Sequence, residues 1–281
     1  MIGLQREIDK GMFSPEERRL LDSLNDQTAL AIERTQLAEK IDEAQIIAEA
    51  DKLRVAMLTS LSHDLRTPLA SILGAATTLL ANVGLYDLAK TKDMLQVVRE
   101  EAERLDRFVG NLLDMSRLEA GALGTKTEAI EISDALSAAV GRLSRRIVDR
   151  QVIEDIPDDI PFASADPLLL EQALVNILDN AIKYSPQGSA ILVTARLGDG
   201  FIYLTIEDEG PGIADLELPH IFDKFYRIRK ADKVAGTGLG LSVAKGFVEA
   251  FGGTLTARNR PSHKGAAFEI KIPISKMEVA P

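Results

Sequence analysis

Ser62-His63-Asp64-Leu65-Arg66-Thr67-Pro68 places an imidazole, a carboxylate and a hydroxyl within one short stretch. A neutral imidazole keeps a free lone pair and can act as nucleophile or proton carrier near pH 7. The surrounding pattern is helical: Leu58, Leu61, Leu65, Pro68, Ile72, Ala76, Leu79 and Val83 recur at steps of three and four. At about 100° per residue, His63 falls about 200° from Leu61, and Thr67 lies one turn on from His63. The helix is expected to bury its leucines and to present His63, Asp64 and Thr67 outward. Pro68 has no amide hydrogen and crowds the Asp64 carbonyl, so a bend or a lost hydrogen bond is expected just below His63. Such a break costs roughly 3 kcal/mol in an ordinary helix interior. A lone surface histidine is usually only that, and the remainder of the chain is what gives this one a task.

A second set of residues suits a nucleotide. Asn176 and Asn180 are four apart on a predicted helix, so both amides face one way, with Lys183 one turn on. Amide oxygens are hard ligands suited to Mg2+, and a lysine suits phosphate. Asp208-Glu209-Gly210-Pro211-Gly212 follows a predicted strand. Its glycines let backbone approach a ligand closely, and an ionised Asp208 accepts hydrogen bonds only. It would pair with the exocyclic amine of adenine and reject the guanine oxygen; the competing reading is an ordinary Asp-Gly turn. Ile221-Phe222-Asp223-Lys224-Phe225-Tyr226-Arg227 is aromatic and basic, and the polar stretch after it to about Val234 suits a mobile lid. Gly236-Thr237-Gly238-Leu239-Gly240-Leu241 runs into a helix, where backbone amides favour an anion. It is neither a Walker A loop nor a Rossmann fingerprint. Each of these segments is weak alone.

The elements that must carry these side chains can be read in turn. A length of 281 residues suggests about two domains, and 46% hydrophobic with 27% charged residues is ordinary for a soluble globular chain. No run of about 18 apolar residues predicts a membrane span, and the polar start, MIGLQREIDKG, does not resemble a secretory signal. The absence of cysteine excludes disulfides, thiolate metal sites and cysteine nucleophiles, and suits a reducing cytoplasm. A net charge of −10 argues against nucleic acid and anionic membrane as partners. Three histidines without cysteine argue against structural zinc.

Ser14-Pro15-Glu16-Glu17 is a capping-box start, and no proline or glycine interrupts residues 16–67. So long a helix needs a parallel coiled-coil partner or a domain outside this chain. A first hairpin helix is expected over about 50–82, closed by Asn82-Val83-Gly84. The second carries Leu95, Val98, Ala102, Leu105, Val109, Leu112 and Ser116 as its stripe, widened by Phe108, Met115 and Leu118. One such αα-hairpin leaves much of its stripe wet, and a dimeric four-helix bundle covers it. Gly121-Ala122-Leu123-Gly124 reads as a hinge. Beyond it, strands are expected over 129–132, 152–156, 191–197, 201–207, 254–258 and 267–272. Helices are expected from the Ser133-Asp134 cap to about 148, from Asp166-Pro167 to about 184, and over 237–251. The expected product is a mixed sheet covered on one face by helices, a two-layer α/β sandwich.

In this order, the His-Asp-x-x-Thr-Pro, asparagine, glycine and phenylalanine segments resemble those of the sensor histidine kinases of two-component signalling, over about residues 50–275. The surrounds of His63, LRVAMLTSLSHDLRTPLASILGAATTL, are most similar to the potassium-responsive branch, which implies control of potassium-transport genes. FSPEERRLLDSLNDQTALAIERTQL resembles the last helix of a GAF sensory domain. The implied organisation is a GAF remnant and signalling helix over 1–49, a dimerisation and phosphotransfer hairpin over 50–120, a hinge over 121–127, and an ATP-binding domain of GHKL (Bergerat) type over 128–281. The resemblance implies a homodimer that autophosphorylates on His63 from ATP and passes the group to an aspartate on a response regulator's receiver domain. Asp64 would orient or take up the second imidazole proton, and Thr67 would position water for dephosphorylating the regulator. Mg2+ would be held by Asn180 with Asn176, phosphates would meet Lys183, Arg227 and Lys224, and Tyr184 would pack on adenine. Gly210, Gly212, Gly236, Thr237, Gly238, Leu239 and Gly240 would line the nucleotide. The sensor region and membrane helices of such proteins are missing here, so a cytoplasmic piece of an inner-membrane parent is expected. Three rivals stand beside this, of which a dimeric coiled-coil adaptor is argued against by the second domain. An ATPase of the gyrase, Hsp90 and MutL type needs a catalytic glutamate where this chain has Asn176, and a dimeric scaffold without kinase activity has no use for intact motifs.

Overall fold

The computed structural model describes residues 14–82, 85–121, 123–147, 149–228, 237–261 and 264–275, without the side chains of residues 38–64. The chain divides into two units, 1–64 and 65–281. One helix, α1 (Pro15–Ala81), runs through the boundary. Its start is the capping box: Ser14 Oγ accepts from the Glu17 amide at 3.2 Å, and Glu17 Oε2 accepts from the Ser14 amide at 2.8 Å. In the first unit Leu20, Leu24, Leu30, Ile32 and Leu37 are all exposed.

In the second unit α1 continues through a buried Pro68, with Leu65, Ile72, Ala76 and Leu79 half-buried on the expected stripe. Leu58, Leu61 and Val83 of that stripe lie outside the described side chains. Helix α2 (Leu88–Glu119) is capped by Asp87, whose carboxylate accepts from the Lys90 amide at 2.8 Å. Of its expected stripe, the widening residues Phe108 and Met115 are buried, 4% and 8% exposed, while Leu95 and Val109 are exposed. Met115 is buried because the end of α2 packs against a helix of the following domain.

That domain opens with β1 (Glu128–Ile130) and α3 (Ile132–Arg142). Ser133 and Asp134 sit inside the first turn of α3, whose N-cap is Glu131, and the helix stops well short of residue 148. Ile132, buried in the core, sets the entry of the chain in place of a side-chain cap. Next come β2 (Val152–Asp155), β3 (Ala163–Ala165), α4 (Pro167–Tyr184), β4 (Ile191–Gly198) and β5 (Phe201–Glu207). The chain closes with α5 (Gly240–Ala250), β6 (Thr254–Asn259) and β7 (Ala266–Pro273). The main sheet has the order β2-β4-β5-β7-β6, with β2 parallel to β4 and the remaining pairs antiparallel. β1 and β3 form a separate antiparallel pair, and β3 is too short to have shown any alternation in the sequence.

The alternation expected of a half-covered sheet is present. Ile191, Val193 and Ala195 on β4, Ile202, Leu204 and Ile206 on β5, and Phe268, Ile270 and Ile272 on β7 are buried in one core. Against them lie Leu136 of α3, Leu170, Leu174, Ile177 and Leu178 of α4, and Val243 and Phe247 of α5. Met115 of α2 belongs to the same core. The β4–β5 turn uses Asp199 at φ 48 and Gly200 at φ 77, the left-handed pair that a tight hairpin needs. Asp166 caps α4 as expected: its Oδ1 accepts from the Leu168 and Leu169 amides, both at 3.1 Å, with Pro167 in the first turn.

Candidate functional site

Asp208 stands where β5 leaves the sheet. Its amide donates to the Ala266 carbonyl at 2.9 Å. Its Oδ1 accepts from the amides of Gly210 at 2.7 Å and Ala266 at 3.2 Å. The residue is 4% exposed. Burial pushes the carboxyl above the ordinary aspartate range, while the two amides and Arg260 pull it back toward ionisation. Oδ2 has no protein donor among the described residues, so one acceptor of the carboxylate is left for a ligand. Position 210 must be glycine, since a Cβ there would lie 2.8 Å from Asp208 Oδ1 and 3.0 Å from the Tyr184 carbonyl. The same contact ties the end of α4 to the Asp208 turn.

Helix α4 supplies the next part. Asn176 and Asn180 are half-buried, and neither side-chain amide is engaged by another described residue. Asn176 Oδ1 is 3.6 Å from where a Cβ on Gly240 would sit, so the asparagine faces the first turn of α5. Amide oxygens that the protein leaves free fit a hard cation. Among the described residues no group of three or more His, Asp or Glu could hold one without help. A Mg2+ here would rely on these amides and on oxygens brought by the nucleotide itself.

Lys183 Nζ lies 2.6 Å from Asp179 Oδ2, and Arg146 pairs with the same carboxylate. Burial, followed by the charges of Arg146, Arg107 and Arg104, pushes the Lys183 ammonium down to about 8. Burial raises the Tyr184 phenol, and the charge of Arg227 opposes this, which places Arg227 within electrostatic reach of Tyr184. Lys224 is turned to α2: its Nζ donates to Glu119 Oε1 at 2.6 Å. Thr237 Oγ1 accepts from the Leu239 amide at 3.3 Å, and Leu239 is fully buried. Gly238, at φ 70, has its carbonyl accepting from the Phe225 amide at 3.0 Å. A Cβ on Gly238 would lie 2.6 Å from the Phe225 backbone. Helix α5 starts only at Gly240, so Thr237 to Leu239 form its approach and not its first turn.

The structure thus carries Asn176, Asn180, Tyr184, Asp208, Gly210, Gly212, Gly238, Leu239 and Gly240 on α4, the end of β5 and the start of α5, while the Lys183 ammonium is turned to Asp179. Thr67 is exposed on α1. The side chains of His63 and Asp64, and Gly236 with the lid stretch over 229–236, lie outside the described residues.

Two features had no counterpart in the sequence reading. The first is Arg150, whose guanidinium donates to the carbonyls of Ile182 (2.7 Å), Ser185 (2.9 Å) and Pro186 (2.8 Å) and to Ser189 Oγ (3.0 Å). It closes the C-terminus of the helix that carries both asparagines, where a cation is favoured. The second is the seat of α2 on the α/β sandwich. Leu118 packs so closely on Gly246 of α5 that a Cβ there would lie 2.6 Å from Leu118 Cδ1. A cavity of about 600 Å³ lies beside this contact, between Met115, Leu118, Phe222, Lys224, Lys245 and Glu249.

Residues 165–276 match the family described as histidine kinase-, DNA gyrase B- and HSP90-like ATPase, and residues 53–121 match the His Kinase A (phospho-acceptor) domain. The sensor protein KdpD of Clostridium acetobutylicum is 36% identical over 265 residues, which cover 94% of this chain and 29% of that protein. The chain therefore spans less than a third of the length of that relative. The structure of the Acinetobacter baumannii histidine kinase AdeS is 26% identical with a TM-score of 0.58, covering 76% of this chain and 98% of that one. A crystal structure of histidine kinase ThkA in complex with response regulator protein TrrA shares the fold, at 20% identity and a TM-score of 0.60, over 78% of this chain and 61% of that one.

Proposed function

The chain is a histidine-kinase core of the KdpD-like kind, and on that premise we propose that it moves the γ-phosphoryl group of ATP first to His63 and then to an aspartate of a response regulator. The observation that supports this most is the pairing, in one chain, of the His63 helix with a buried Asp208 that keeps one carboxylate oxygen for a ligand.

In this reading neutral His63 attacks the γ-phosphorus through a free ring nitrogen, the bond to the β–γ bridging oxygen breaks, and ADP leaves. Asp64 orients or takes up the proton on the other ring nitrogen. Asp208 Oδ2 accepts the adenine amine; guanine offers an oxygen there and leaves a buried acceptor unpaired. Tyr184 packs toward the base, and Gly210, Gly212 and the segment from Gly236 to Gly240 admit the nucleotide to the backbone. Asn180 with Asn176 would hold Mg2+, whose charge neutralises the phosphates when bound. Arg227 meets phosphate, Lys183 does so on leaving Asp179, and Lys224 could do so only by leaving Glu119. Thr67 positions the water that dephosphorylates the regulator.

The hairpin over 50–120 dimerises through apolar positions such as Leu69, Leu73 and Leu113, which are exposed in the single chain. A hinge over 121–127 lets the domain over 128–281 reach His63, and residues 1–49 relay a signal from a GAF-type domain. Among the described residues no helix is long and apolar enough to cross a membrane. We place this core on the cytoplasmic side of a membrane-anchored parent that controls potassium-transport genes.

Incubation with γ-labelled ATP tests the central step. The unaltered chain should take up acid-labile label. His63→Gln should take up none while still binding nucleotide, and label persisting on that variant would remove His63 from the mechanism.

A further inference from the structure

The hydrogen bonds that fix the Asp208 turn come largely from one place, the end of β6 and the start of β7. Ala266 supplies both bonds to Asp208. Arg260 donates to the Asp208 carbonyl at 3.1 Å and pairs with Glu207 through Nε at 3.0 Å. Asn259, paired with Ala266 in the sheet, holds the far end of the loop. Its Nδ2 donates to the Ile213 carbonyl at 2.6 Å and its Oδ1 accepts from the Ile213 amide at 2.8 Å. One side-chain amide thus satisfies both backbone groups of Ile213, as a neighbouring strand would. Between the two anchors lies Gly210-Pro211-Gly212. Gly212 has φ 77, and a Cβ there would sit 3.0 Å from Asn259 Oδ1, so the glycine also makes room for the clamp.

We propose that Asn259 is a positioning residue for nucleotide recognition, its amide holding the 209–213 loop so that Asp208 keeps one geometry toward the base. The inference rests on the reading of Asp208 as the partner of adenine. A loop with two glycines has a large conformational entropy to lose on ordering. Released at Ile213, it would have to be ordered by the nucleotide, which weakens binding. It would also let the Asp208 carboxylate retreat from a purine that carries oxygen at its 6-position. The penalty against such a purine comes from an unpaired buried acceptor, and a mobile acceptor escapes it.

The test uses the full chain. ATP and inosine triphosphate compete against a fluorescent ADP derivative, with binding-competent fraction and melting temperature measured in parallel. Asn259→Ala removes two hydrogen bonds and should weaken ATP binding about tenfold, and inosine triphosphate by less, so that the preference for ATP contracts. KM for ATP should rise with kcat near its original value. Asn259→Asp keeps the acceptor for the Ile213 amide but sets a carboxylate against the Ile213 carbonyl. Its deficit should narrow toward acidic pH, where the protonated acid can donate again. Equal weakening of both nucleotides, or a smaller competent fraction with unchanged affinity, would reduce Asn259 to a structural role and overturn the proposal. So would unaltered binding by Asn259→Ala alongside lost binding by Asp208→Asn. Should Asp208→Asn itself leave the ATP preference intact, the adenine assignment fails and the role of Asn259 falls with it.

Discussion

In the α/β sandwich the large apolar side chains reach full burial: Phe247 is 1% exposed, and Leu170, Leu174, Ile177 and Leu204 are 0% exposed. In the helical hairpin comparable side chains stay in water, and Leu73 is 66% exposed. Helix α2 is as amphipathic as α4 and α5, so for it the contrast does not lie in pattern quality. A sheet with one apolar face and three helices to cover it closes within one chain. Helices α1 and α2 leave large apolar side chains such as Leu69, Leu73 and Leu113 exposed. Where the hairpin does bury a residue deeply near its end, at Met115, it borrows the core of the nucleotide domain. The α/β sandwich thus closes its core alone, whereas α1 and α2 leave apolar side chains for another surface to cover.

The closed core of the sandwich is the more sensitive of the two regions to a lost side chain. Phe247→Ala should destabilise the domain by about 4 kcal/mol, as the loss of a large ring in a closed core does. Urea unfolding followed by circular dichroism measures this, and a loss under about 1 kcal/mol would mean that the core tolerates the cavity. On the hairpin, Leu73→Glu should change the unfolding free energy of the nucleotide domain by no more than about 0.5 kcal/mol. It should instead weaken the dimer tenfold or more, since a charge would be buried in the bundle. Light scattering across a dilution series reads this, and an unshifted dimer would place the interface elsewhere.

The smallest effect concerns Lys183. Its ammonium is held down to about 8 against 10.5 for an ordinary lysine. If it meets phosphate, ATP affinity falls as pH rises through about 8, because the attracting charge is lost there. Folding stability runs the other way. Between about 8 and 10.5 the unfolded chain binds the extra proton, so stability increases with pH across that window. Lys183→Arg keeps its charge and should flatten the affinity profile, by a few-fold at most. Isothermal titration at several pH values checks it, and parallel profiles for both chains would remove Lys183 from phosphate binding.

Much of this was legible in the residues because the causes are local. Ser14 and Glu17 make the capping box they suggest, Asp166-Pro167 opens α4, and Asp199-Gly200 turns the β4–β5 hairpin. Alternation along β4, β5 and β7 showed which face is covered. The misses have tertiary causes. Ser133 and Asp134 resemble a cap, but burial of Ile132 moved the start of α3. Thr237 to Leu239 were expected in a helix that begins only at Gly240. Met115 and Leu118 were read as part of the apolar stripe of α2, but that they pack on α5 while Val109 stays exposed depends on the tertiary contact.

By itself the sequence determined which side chains could do the chemistry, on which kind of element each would sit, and in what order. Those properties depend on neighbours within a turn or two. The clamp of Asn259 on Ile213, the closure of α4 by Arg150 and the double hold of Ala266 on Asp208 join residues 32 to 58 positions apart. No local period encodes such pairs. They exist because a twisted sheet brings the ends of distant strands together, and only the folded chain could show that the Asp208 turn is held from behind.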